Sequence, residues 1–129
     1  MRRKSLRRIA PAFLALSLLF AAVLACSRGS ADKCTATLTY QGKTYTGVGK
    51  KDDAVSFACN KYCRDDDPEY DAMYRIWLDS AEGRSAGRPS KEEAIFKSKR
   101  LLDFVTITCA KRCVEWTKSG RAQAETKCD

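Results

Sequence analysis

Cys59-Asn60-Lys61-Tyr62-Cys63 and Cys109-Ala110-Lys111-Arg112-Cys113 are the two stretches whose reading decides the fold. Each is a CX3C unit with a lysine at its centre, and each lies in sequence of helical character. On a helix, residues i and i+4 share a face with Cβ atoms about 5–6 Å apart. A disulfide needs Cβ atoms about 3.5–4.5 Å apart. Bonding within a unit is therefore disfavoured. Two antiparallel helices placed face to face can bond Cys59 to Cys113 and Cys63 to Cys109. Cys34 and Cys128 then pair by elimination and clamp the two ends of the domain. Bonds closing loops this long stabilise by roughly 4 kcal/mol for the first and less for the nested second. A four-thiolate zinc site is the competing use of these residues, and a redox-active pair is another. Reactive dithiols favour C-x-x-C at a helix start, which neither unit provides.

Outward from the first unit, Thr35 to Val48 reads as a β-hairpin. Gln41-Gly42 supplies a two-residue primed turn between TATLTY and KTYTGV. That register sets Leu38 opposite Tyr45 and Thr37 opposite Thr46. Ala36, Leu38, Tyr40 and Tyr45 form the core face; five threonines form the other. A helix capped by Asp52 or Asp53 then runs to about Arg64. Val55, Cys59, Tyr62 and Cys63 share its inner face. Asp67 as N-cap and Pro68 at N1 start a second helix, from about Pro68 to Glu82, stopped by Gly83. Its apolar stripe is Tyr70, Met73, Tyr74, Trp77 and Ala81, either a packing face or an aromatic sugar platform. Asp71, Arg75 and Asp79 form a charged ladder opposite. The stretch 83–89 (GRSAGRP) reads as a basic, mobile loop.

Ser90 with Glu93 makes a capping box. A long helix is expected from about Lys91 to Lys118, ended by Gly120. Ile95, Leu102, Val105, Cys109, Cys113 and Trp116 share one face of it. A second stripe, Phe96, Ile107 and Val114, exceeds what one packing face needs. This stripe, rimmed by Arg84 and Arg88, is the candidate partner-binding site. The tail to Cys128 reads as polar and irregular. The expected class is α+β, mainly helical: an N-terminal hairpin followed by three helices, stapled by three disulfides.

The chain begins with Arg2, Arg3, Lys4, Arg7 and Arg8, followed by 17 uncharged residues from Ile9 to Ala25. This is the pattern of an export signal. Its end, Val23-Leu24-Ala25-Cys26, resembles the lipobox of bacterial lipoprotein precursors, although Leu24 is bulkier than the small residue usual there. The resemblance implies a signal peptide over 1–25, lipidation of Cys26, and a lipidated tether over 26–33. It also implies residence in the bacterial cell envelope, with Ser27 at the next position pointing to the outer membrane. An uncleaved N-terminal anchor and an ordinary cleaved signal are the competing readings. Acyl chains contribute about 0.8 kcal/mol per buried methylene, so several make anchoring effectively permanent. An oxidising compartment suits the remaining six cysteines, which make a single disulfide-stapled domain over 34–129. The paired CX3C units are also similar to the twin-CX3C hairpins of small mitochondrial Tim chaperones. Here 45 residues separate Cys63 from Cys109, so that resemblance implies only the geometry of the staple.

Five of the 24 Lys and Arg, and none of the 16 Asp and Glu, lie in the leader. Without it the net charge falls from +8 to +3, which removes the main argument for a nucleic-acid partner. The chain has no His, hence no ordinary general base and no usual catalytic-zinc ligand. Phosphate-loop, nucleophile-elbow and cofactor fingerprints are missing. The sequence therefore points to a non-catalytic, membrane-tethered protein that binds a protein or a cell-wall polymer, without metal or cofactor. A small secreted hydrolase working with two carboxylates is the alternative, and an enzyme inhibitor is another.

Overall fold

The computed structural model of the chain describes residues 32–129. The expected signal peptide, Cys26 and most of the expected tether lie outside the described residues. The domain is α+β and mainly helical, as expected. Alternation in CTATLTY and KTYTGVG builds the hairpin of β1 (Cys34–Tyr40) and β2 (Lys43–Gly49). Gln41 and Gly42 both adopt positive φ, 50° and 76°, which matches the strands' right-handed twist. Leu38 pairs with Tyr45 and Thr37 with Thr46. Ala36, Leu38, Tyr40 and Tyr45 are buried.

The tail corrects the expectation of an irregular end. Gln123–Cys128 is a third strand, β3, antiparallel to β1 with Cys128 opposite Cys34, so the sheet order is β2-β1-β3. Every residue of β3 is exposed. Without burial there is no apolar alternation to read, and the strand is held by its ladder and the Cys34–Cys128 bond.

Helix α1 (Lys51–Asp65) crosses the inner face of the sheet. Its N-cap is Lys50, without a side-chain cap; Asp52 and Asp53 sit inside the first turn rather than capping it. There they favour the positive end of the helix dipole. Ala54 and Ala58 are fully buried and allow a close approach to β2. A Cβ at Gly47 would run into the backbone of Ala54, Phe57 and Ala58.

Asp67 starts α2 (Pro68–Asp79), accepting the Tyr70 N–H at 3.1 Å. Gly83 does not end this helix. Ser80 does, by capping a short helix α3 (Ala81–Ser85) in which Gly83 is buried. The supposed loop is therefore half helical. It is also tied down at its far end: the Tyr74 hydroxyl donates to the Pro89 carbonyl at 2.8 Å, and that of Tyr70 to the Lys91 carbonyl at 2.8 Å. Tyr70 is wholly buried and Trp77 nearly so, so this stripe is core and not a sugar platform. In the charged ladder, Arg75 bonds Asp71 at 2.8 Å, while Asp79 takes Arg88 instead at 3.2 Å.

The long third helix is broken. Helix α4 (Lys91–Lys97) ends at Ser98, whose extended backbone (φ −129°, ψ 113°) turns the chain. The buried Ser98 hydroxyl accepts the Leu101 N–H and caps α5 (Lys99–Asp103). A π-helical segment, Phe104–Cys109, follows and leads into α6 (Ala110–Ser119), which ends at Gly120 with φ 80°. The segment contains Val105-Thr106-Ile107-Thr108. Four β-branched residues in a row pack poorly in an α-helix, and the Thr106 hydroxyl donates back to the Leu102 carbonyl at 2.8 Å.

Cys59 is bonded to Cys113 and Cys63 to Cys109, with Cα separations of 5.8 and 5.9 Å. These bonds leave no free thiolates for zinc at either unit. Beside them Trp116 stacks on Tyr40 at 5.0 Å, and Tyr62 meets Tyr40, Tyr45 and Trp116 edge-on. Burial, then the Asp67 charge, pushes the Tyr62 hydroxyl up to about 12. Among the described residues, no helix is long and apolar enough to cross a membrane.

Candidate functional site

Of the partner stripe, Ile107 and Val114 come together. Ile107 is on the π-helical segment and 61% exposed; Val114 is about two turns further on, in α6, and half-buried. Both line an open groove of about 420 Å³ between α1 and this helix, shared with Ser56 and Ala110. The π-helical geometry matters here. The wider turn re-aims the residues that follow it, and such segments recur at functional sites. The segment leaves Thr106, Ile107 and Thr108 outward while Val105 and Cys109 stay in the core.

The groove also has a charged edge that the sequence reading missed. Lys111, Glu115 and Lys118 line it, and all three are exposed. None joins an ion pair among the described residues. The edge therefore carries one net positive charge with its side-chain hydrogen bonds unspent. The signal for this part was the i, i+4, i+7 spacing of 111, 115 and 118 alongside Ile107 and Val114.

The other candidates lie elsewhere. Phe96 is 76% exposed, but it belongs to α4, before the Ser98 break, and does not line the groove. Arg84 and Arg88 do not rim it either. The Arg84 guanidinium donates to the Asp79 carbonyl and Arg88 pairs with the Asp79 side chain, so both fasten the end of α2. Ile76, 72% exposed, adjoins a smaller depression of about 140 Å³ with Met73 and Leu101.

Two carboxylates meet at Arg112. Asp67, 2% exposed at its side chain, and Glu69 both bind Arg112, at 2.8 and 2.9 Å. With the guanidinium between them, they are arranged as an ion-pair network rather than as two groups facing a substrate. No cluster of three His, Cys, Asp or Glu able to hold a metal occurs among the described residues. No family model matches the chain, and no curated protein or solved structure is significantly similar to it.

Proposed function

We propose that the chain is a lipid-anchored protein of the bacterial cell envelope, non-catalytic, which binds another protein through the groove at Ile107 and Val114. The observation that carries this reading is an isoleucine left 61% exposed in a groove edged by two unpaired lysines. Exposed apolar surface with a polar rim is the usual anatomy of a binding site. The lysines favour an amphipathic segment with one or two apolar side chains flanked by acidic ones. The lipobox-like Val23 to Cys26 supports the anchor, and three disulfides suit the oxidising compartment it implies.

The test is a photo-crosslinking residue at position 107 of the full chain, expressed in the native envelope, with identification of the cross-linked peptide. One defined partner segment of apolar and acidic residues is expected. Ile107→Asp should weaken its binding about tenfold or more, the loss typical of a central apolar contact, with the melting temperature unchanged. Cross-links to cell-wall polymer alone, or none above a surface control, overturn the reading. Intact mass checks the anchor separately: an unlipidated mature N-terminus would reject it.

A further inference from the structure

A second cleft, of about 350 Å³, opens on the other side of α6, where Arg121 lies over the Trp116 ring at 4.6 Å. Tyr40, Pro68, Glu69 and Arg112 also line it. The two arginines are in different states. Arg112 spends its guanidinium on Asp67 and Glu69. Arg121 joins none of the ion pairs among the described residues. Its guanidinium is positioned by cation–π stacking, which orients the plane while leaving the N–H edge open. A planar fork of this kind matches a carboxylate, two bonds at a time. Glu69 binds Arg112 through Oε2, which leaves Oε1 as an acceptor on the same cleft. Tyr40, Trp116 and Pro68 add apolar surface.

From this arrangement we infer that the cleft binds an α-carboxylate with an N–H on the adjacent carbon and an apolar side chain. Arg121 takes the carboxylate, Glu69 accepts from the N–H, and the side chain lies against the aromatic rings. The charges agree: Asp67, Glu69, Arg112 and Arg121 sum to zero, so a group carrying both an anion and a donor fits better than a bare anion. A peptide C-terminus and a free amino acid share this chemistry.

The chain has two tryptophans, Trp77 and Trp116, and therefore two indole N–H signals in a nitrogen-15 NMR spectrum. Trp77 lies with Met73 and Leu101 at the other depression and serves as an internal reference. The full-length chain in detergent is titrated with N-acetylphenylalanine, phenylalanine and N-acetylphenylalaninamide. A saturable shift of the Trp116 signal with the first or second, and none with the amide, supports the site. Whichever of the two acids binds more tightly identifies the source, a peptide end or a free amino acid. Arg121→Gln should weaken binding about tenfold or more, as expected for a lost charged hydrogen-bond pair, while Lys97→Gln, at an exposed position outside the cleft, leaves it unchanged. Equal binding of the amide, equal shifts at both indoles, or an unaltered titration of Arg121→Gln overturns the assignment. Arg121 is exposed, so its replacement leaves the fold intact; an unchanged melting temperature verifies this.

Discussion

Gly47→Ala is a one-methyl change that tests how closely α1 lies on the sheet. Gly47 pairs with Ala36 on the covered face of the hairpin, and Ala36, Ala54 and Ala58 are all fully buried. The added methyl meets the α1 backbone at Ala54, Phe57 and Ala58, none of which can rotate away. Nor can the helix lift freely, because Cys59 and Cys63 bond it to its neighbour. Overpacking of this kind costs about 1–3 kcal/mol, occasionally more, and the immovable backbone puts Gly47 at the upper end. For a domain of this size each kcal/mol moves the melting point about 4–8 °C, so a fall of roughly 10–20 °C is expected. Gly49, two residues on, is the control. A Cβ there meets mainly the ring of Phe57, a half-exposed side chain that can swing outward, and alanine is the better strand residue by about 0.5–1 kcal/mol. Gly49→Ala should therefore melt within a few degrees of the parent. Thermal unfolding followed by far-UV circular dichroism, with disulfides intact, gives both values. If Gly47→Ala melts with the parent, or Gly49→Ala falls as far, the close approach of helix and sheet is not what these residues secure.

The nested staple predicts non-additive losses. Replacing the Cys59–Cys113 pair or the Cys63–Cys109 pair alone should cost about 3 kcal/mol, since the survivor leaves only a short ring to close, whereas replacing both should cost about 7; denaturant titration would show simple addition if the bonds were independent. Alkaline unfolding has a defined window. Tyr62 and Tyr70 are pushed up to about 12, by burial first in both cases, against about 10 when unfolded. Their contribution is therefore complete below about pH 10 and lost between pH 10 and 12. Tyrosinate absorbance should show these two ionising only as the fold is lost; free titration of all five tyrosines near pH 10 would contradict this. At the acid end, the hydrogen bond from Lys43 and then that from Tyr45 lower the Asp66 carboxyl. Its contribution is present above about pH 4 and disappears as pH falls through the lowered value; Asp66→Asn should flatten that limb.

The parts of the fold legible in the sequence are those where one local rule acts alone. Gln41-Gly42 has a single hairpin solution, Asp67-Pro68 a single helix start, and the CX3C spacing disfavours bonds within a unit and so points to a helix-to-helix staple. The Ser98 break was hidden because apolar residues recur at helical intervals on both sides of it, and a lone serine between Lys97 and Lys99 carries no capping box. The π-helical segment cannot appear in a pattern read at 3.6 residues per turn, though its four β-branched residues announce a weak helix. That weakness matters for the site: it is where Ile107 turns outward, while the Ser98 break separates Phe96 from the groove. Arg121 escaped notice for another reason. Its partner Trp116 reads as core, and only the return of β3 beside β1 fixes the chain on which Arg121 sits.

The bond between Cys34 and Cys128 gives the domain two parallel covalent routes from Lys33 to its helices. A pull arriving through Lys33 divides at Cys34. One route follows β1, β2 and α1 to Cys59; the other crosses the sulfurs to Cys128 and follows β3 and α6 back to Cys113. The second route is the shorter, 15 residues against 25. Even with every hydrogen bond of the sheet torn, that strap goes taut after about 50 Å, at about 3.3–3.6 Å per residue. Under the proposed function, a partner at Ile107 would hang on a short, doubled strap. A pull through Lys33 would stretch the domain by a bounded length and leave the helix pair assembled.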